Sequence, residues 1–398
     1  MTTAAPGVLA PVAARDFGLP VSQVGVMIAL HYFATVPSGL ASAALQARYG
    51  AVRVLQMSAI GVAMAILSCA LAGFLAIGTD LPATAGWIFA AWLLATGVMY
   101  GTGYGLINPV SANVLFHATP VKLRSAAFSI KQTAVPVGFG LAGLVIPLLL
   151  TQMRWQWVAV ILACVLVAAA ALLFGARLYT PPVATTGGGL LRWGDFIGPV
   201  RDVMHDPLMR RRAMMAVAYS ATQTAVTVYL VTFLNLEIGM TLLAAGSVMA
   251  MSQVGGVTSR ILLGISADLW MKPRIQLAAA GIATAVCCLA MIAITPQWSP
   301  AAITALCVLF GTLSFAWNGV FHAETASIAP PGQIGRVTGG MQVFVSAGAM
   351  GGPALFSLIL ALTDSFAVAF FVLALPTLAV GCMFLAPAHE RIVQRAAQ

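Results

Sequence analysis

Arg260, Lys131, Glu324 and His322 stand inside long apolar runs of this 398-residue chain, where a charged side chain is costly enough to suggest a role. An arginine fork grips a carboxylate through two parallel hydrogen bonds, and a lysine adds a point cation. Glu324 is the one acid well inside an apolar run apart from Asp268, and it has the chemistry of a proton carrier. His322, two residues earlier, has it too, and His31 is a third titratable candidate in another run. Asn318 precedes His322 by four residues and shares its helical face. Tyr100, Tyr104 and Asn108 repeat that spacing, as do Tyr219 and Gln223. Lys131 and Arg260 outnumber Glu324, so a cavity they lined would favour anions.

The elements carrying these residues follow from composition. Hydrophobic residues make up 61% of the chain and charged residues 7%, against about 25% charged in soluble domains. That shortage excludes a disordered chain, a nucleic-acid binder and an ordinary cytosolic enzyme. The apolar runs are about 20 residues or longer, which suits spanning helices and not the roughly 10-residue alternating strands of a membrane barrel. Eleven runs can be marked, at 21–45, 54–77, 87–115, 125–150, 155–178, 213–236, 242–267, 275–295, 301–325, 337–362 and 366–385. The segment 1–14 is apolar but about 21 Å long as a helix, short of a hydrocarbon core of about 30 Å. It lacks the charged start and cleavage pattern of a signal peptide. We expect it to be the outer part of a first helix whose inner part is absent, with a short interfacial helix as the alternative.

Charge placement sets the orientation. With 1–14 counted as the first span and its absent end inside, fifteen of the nineteen Lys and Arg fall on the inner side. Arg15 and Arg154 fall outside, and Lys131 and Arg260 lie within spans. The net charge of +9 therefore sets topology and does not indicate a nucleic-acid partner. The expectation is a multi-pass protein of the plasma membrane, a bacterial inner membrane, with a cytoplasmic C-terminus. The one long polar stretch, 179–212, opens with Pro181-Pro182 and Gly187-Gly188-Gly189 and ends in Arg210-Arg211-Arg212. Its later part, 193–209, suits a short helix lying on the inner leaflet. It divides the chain into an N-terminal six-helix half at 1–178, with the first helix incomplete, and a C-terminal half at 213–398. Six cysteines all fall in apolar runs without metal-ligand spacing, so they are expected to pack, and no metal or cofactor is expected.

The halves repeat weakly. The loop after the second span reads Ala47-Arg48-Tyr49-Gly50-Ala51-Val52-Arg53, and the one after the eighth reads Gly264-Ile265-Ser266-Ala267-Asp268, followed by Lys272 and Arg274. The fifth span opens after Arg124 and carries Gly138, Gly140, Gly143 and Pro147; the eleventh opens after Arg336 and carries Gly348, Gly351, Gly352 and Pro353. Over essentially its whole length the sequence resembles the major facilitator superfamily, whose signature is a Gly-x-x-x-Asp-Arg/Lys-x-Gly-Arg-type loop after the second helix, often repeated after the eighth. The second copy matches through Gly264 and Asp268, with Lys272 and Arg274 as its basic end. The first keeps Arg48 but has Ala43 and Ala47 where the glycine and acid belong. The resemblance implies a 6+6 helix bundle, with the motif acid tying inner helix ends together. A narrower likeness lies in Arg260-Ile261-Leu262-Leu263-Gly264, which is similar to the monocarboxylate and oxalate-type transporters and implies that Arg260 binds a substrate carboxylate.

Each residue has a structural alternative. Arg260 either grips substrate or ties helices through an acid such as Glu324. Lys131, followed by Gln132, either completes the anion site or snorkels to the interface. Glu324 either carries a proton or pairs at the inner mouth with Arg336 or Lys272. His31 either titrates in proton coupling or is hydrogen-bonded packing, and the tyrosine and glutamine stripes either line a cavity or pack helices. No His-Glu-x-x-His, Gly-x-Ser-x-Gly or phosphate loop is present, and the loops are too short for a sensor's output domain. The expected function is a monomeric secondary transporter moving a small organic anion, a monocarboxylate, with a proton by alternating access. Proton-driven efflux of amphipathic molecules is the alternative, and a membrane enzyme or sensor is disfavoured.

Overall fold

The computed structural model of the chain describes residues 9, 12, 13, 16, 22–76, 86–175 and 193–385. The expected first helix at 1–14, apart from residues 9, 12 and 13, and the Pro- and Gly-rich joint lie outside them. Every regular element among the described residues is helical. This follows from the solvent: a backbone in hydrocarbon must satisfy its own hydrogen bonds, and a helix does so within one segment. The helices are α1 (Ser22–Tyr49), α2 (Ala51–Ala76), α3 (Gly86–Gly105), α4 (Ile107–Ala118), α5 (Arg124–Leu150), α6 (Trp155–Leu172), α7 (Trp193–His205), α8 (Pro207–Leu236), α9 (Leu242–Leu269), α10 (Pro273–Met291), α11 (Pro300–Phe315), α12 (Asn318–Ile328), α13 (Ile334–Thr363) and α14 (Phe366–Leu385). Among the described residues, eight helical stretches are long and apolar enough to cross a membrane, with α11 and α12 counted as one.

Local chemistry sets several boundaries. Asp206 caps α8, its carboxylate accepting from the amides of Leu208 at 2.7 Å and Met209 at 3.0 Å, and Pro207 takes the first helical position. This cap starts α8 ahead of the expected 213, so Arg210-Arg211-Arg212 is helical rather than linker. Ser299 and Pro300 start α11 in the same way, through a bond from the Ala302 amide. Two of the expected runs break. The run at 87–115 divides into α3 and α4 at Leu106, and the run at 301–325 into α11 and α12 at Ala316-Trp317.

The chain forms two compact units. The first comprises Met1–Ala118, Val137–Val200 and Pro330–Val343. Its core joins Val62, Ile66, Tyr100, Ile146, Trp155 and Leu162. Polar bonds cross between its helices, from Ser58 Oγ to the Gly103 carbonyl at 2.6 Å and from Gln56 Nε2 to the Ala170 carbonyl at 2.8 Å. The second unit comprises Thr119–Pro136, Arg201–Ala329 and Phe344–Gln398. Its core gathers Phe233, Phe310, Phe356 and Phe370 around Cys288 and Cys307. These thiols are free and buried, as is Cys287, in keeping with the packing role expected of them. Thr222 and Thr377 join α8 to α14 through their hydroxyls at 2.7 Å.

Candidate functional site

The second unit builds its polar site on the break between α11 and α12. A helix that stops inside an apolar bundle leaves carbonyls without intrahelical donors. At this break the Phe315 carbonyl accepts from Arg260 Nε of α9 at 2.9 Å and from Asn318 Nδ2 at 3.3 Å. Arg260 Nη1 donates to the Gln132 carbonyl of α5 at 2.6 Å. The guanidinium carbon lies 5.3 Å from the centre of the Phe315 ring. Arg260 is 3% exposed, makes no bond to a carboxylate among the described residues, and ties α5, α9 and α11 through backbone oxygens.

Beyond the break, Gln223 of α8 organises the start of α12. Its Oε1 accepts from Trp317 Nε1 at 3.0 Å and from Asn318 Nδ2 at 2.8 Å. Tyr219, one turn away, meets the Trp317 ring edge-on and donates to the Leu277 carbonyl at 2.9 Å. His322 is buried one turn past Asn318, and the charges of both Lys131 and Arg260 act on it. Six sequence-derived candidates thus belong to one neighbourhood: Arg260, Lys131, Gln132, Gln223, Asn318 and His322.

Glu324 belongs to a different contact. Its Oε1 accepts from Arg212 Nη2 at 2.6 Å, joining α12 to the start of α8. This corrects the pairing partners expected for it, since Arg212 takes the place of Arg260 and of Arg336 or Lys272. The reason is that α8 begins early enough to carry Arg212 into the helix, where it is buried against α12. Glu324 Oε2 and Arg212 Nε are buried with no hydrogen-bond partner among the described residues. Arg212 was missed as a site residue because it ends an arginine run that reads as a solvated loop; the Asp206-Pro207 cap was the available signal.

The loop motif acts as a cap. The Asp268 carboxylate accepts from the Ser125 amide at 3.0 Å and the Ala126 amide at 2.8 Å, so the end of α9 holds the first turn of α5. Those amides are orphan donors at the positive end of the helix dipole. Gly264, one turn earlier, lets α5 close in, since a Cβ there would overlap the Ser129 side chain. Arg48, from the degraded first copy, is exposed, with its guanidinium carbon 5.2 Å from the Tyr49 ring centre. Arg274 opens α10.

In the first unit, His31 of α1 is buried among aromatic rings, 5.0 Å from those of Tyr32 and Tyr100 and 5.5 Å from Tyr104. Its Nδ1 has no hydrogen-bond partner among the described residues. A cavity of about 50 Å³ lies beside it, lined by apolar residues including Met27, Leu93 and Trp155.

A helical membrane bundle with polar side chains gathered at a helix break has the architecture of secondary transporters. The profile of the Major Facilitator Superfamily matches residues 1–353, and the chain belongs to that family. No curated protein matches the sequence significantly. Among solved structures, the chain is similar to the human organic anion transporter MFSD10 (TETRAN), at 16% identity over 95% of this chain and 89% of that one, with a TM-score of 0.72. It is similar to the E. coli fucose:proton symporter FucP at 16% identity, covering 96% and 95%, with a TM-score of 0.72. A bacterial homologue of the iron transporter ferroportin aligns at 14% identity over 96% and 95%, with a TM-score of 0.78. At these identities the likenesses establish the fold. The chain is a multi-pass membrane protein of a transporter family.

Proposed function

We propose that the protein moves a small organic anion, a monocarboxylate, together with a proton, by rocking its two six-helix halves at 1–178 and 213–398. One observation carries this reading. Arg260 is buried without a carboxylate partner among the described residues, while Glu324, the acid best suited to neutralise it, is held by Arg212. A charge in the membrane costs about 2.5–3.5 kcal/mol on insertion scales, and a bound anion offsets that cost. Two backbone carbonyls take Arg260 Nε and Nη1, so the substrate oxygen belongs on Nη2, with Lys131 as the second cation. His322, one turn past Asn318 on α12, is the proton candidate in the same neighbourhood. Glu324, through its exchangeable pair with Arg212, and His31 are the further proton candidates. The substrate is a small molecule, the coupling ion a proton, and the working form a monomer in the bacterial inner membrane with its C-terminus inside.

The test is uptake of a labelled carboxylate panel into proteoliposomes with and without an inward proton gradient, comparing wild type, Arg260→Lys and Arg260→Gln. Gradient-stimulated uptake is expected to fall at least tenfold in both variants, since lysine keeps the charge and loses the fork. Wild-type rates in a folded Arg260→Gln protein would make Arg260 a helix tie alone and remove the anion argument.

A further inference from the structure

The helix α7 differs from its neighbours in kind. It is 13 residues long, about 20 Å, too short for a hydrocarbon core of about 30 Å. It also carries Asp195, Arg201, Asp202 and His205, which a spanning helix would not tolerate. Yet Trp193, Ile197, Val200 and Met204, spaced four, three and four residues apart, fall on a single stripe. That stripe faces away from the protein: Trp193 is 82% exposed, Ile197 61% and Met204 43%. Phe196 packs beside it, its ring centre 6.3 Å from that of Trp193.

The other side of α7 is seated on protein. Gly198, Pro199 and Val203 are buried. The Arg336 guanidinium lies over Gly198, and the Pro199 carbonyl abuts Gly340 of α13, where a Cβ would come within 2.5 Å of it. The apolar stripe is therefore presented by a helix that cannot turn it inward without losing its seat. Arg201 flanks the stripe on α7, and Arg210 follows it across the Asp206 cap; both are exposed.

We propose that α7 is an interfacial anchor that binds anionic phospholipid. Its Trp193, Ile197, Val200 and Met204 stripe sinks just below the headgroups, and Arg201 and Arg210 meet the lipid phosphates. Charge selects lipid over a protein partner: Arg201 and Arg210 are exposed and have the sign that an anionic leaflet attracts, while the Asp206 carboxylate is occupied in capping α8. Because α7 is clamped to α13, its depth in the leaflet also sets where the start of α13 sits in the bilayer.

Trp193 is its own reporter. The full-length chain and Trp193→Phe are reconstituted in vesicles of phosphatidylcholine alone or mixed with phosphatidylglycerol, and the difference in their emission isolates Trp193. In the mixed vesicles we expect strong quenching by lipids brominated just below the headgroup and protection from aqueous iodide. In phosphatidylcholine alone, at high salt, or in Arg201→Gln/Arg210→Gln, iodide access should rise several-fold. Iodide quenching with no lipid quenching in the mixed vesicles would overturn the anchor. Exclusion of both quenchers would overturn it in favour of a covering protein, including a second copy of this chain. Equal lipid quenching in both vesicle types would overturn the recognition of anionic headgroups.

Discussion

Arg212 and Glu324 form a pair whose removal, one partner at a time, should cost more than removing both. Their side chains are 7% and 16% exposed and meet at 2.6 Å. Two unit charges about 4 Å apart attract by about 4 kcal/mol at an effective dielectric near 20. Desolvation cancels most of that attraction, so the intact pair contributes little net stability. Arg212→Met alone leaves Glu324 charged and unmatched, which should cost about 3–5 kcal/mol, and Glu324→Leu alone should cost as much by stranding Arg212. The double variant removes both charges and should fall within about 1–2 kcal/mol of wild type, giving a coupling of about 4 kcal/mol or more. Cys288 and Cys307, both fully buried, provide the assay once the remaining cysteines are replaced, because a thiol-reactive fluorophore labels them only as the second unit opens. Midpoints of labelling against temperature or denaturant then complete the cycle. Single-variant costs that simply add in the double variant would refute the reasoning. The same double variant, if stable, asks whether Glu324 carries the proton: gradient-stimulated uptake should be lost while anion exchange persists.

Three further expectations follow from the site's contacts. Asp268→Asn should release the first turn of α5 at a cost of about 1.5–3 kcal/mol per charged hydrogen bond lost, read as at least tenfold faster hydrogen exchange at the Ser125 and Ala126 amides; unchanged protection would contradict the cap. Gly264→Val should cost about 1–3 kcal/mol through overlap with Ser129, and Ser129→Gly in the same chain should recover part of it in the thiol-labelling assay. Gln223→Leu strands two buried donors, Trp317 Nε1 and one Asn318 N–H, and should cost about 1–3 kcal/mol for each donor left unmatched, with a shift in tryptophan emission as the direct readout.

The fold class was legible because it depends on local free energy. Runs of about 20 apolar residues with almost no charge have one stable form in a bilayer, and each of the eleven runs marked in the sequence holds helix. The working copy of the loop motif was legible for a related reason, since Gly264 and Asp268 are one turn apart on a single helix and together meet the start of α5. The gathering of Arg260, Asn318 and His322 was foreshadowed by charge and spacing alone. The tertiary structure decided which groups these residues face. Within 301–325 no proline marks a break at Ala316-Trp317, and Asn318-Gly319 is the one local turn signal beside it; the break persists because Arg260 and Asn318 satisfy the Phe315 carbonyl it exposes. Glu324 had several basic residues within plausible reach, and Arg212 is its partner because the Asp206 cap starts α8 where it does. Helical period and composition report what each segment does alone. Which carbonyl receives an arginine 55 residues away depends on which helix faces meet, and only the packed bundle determines that.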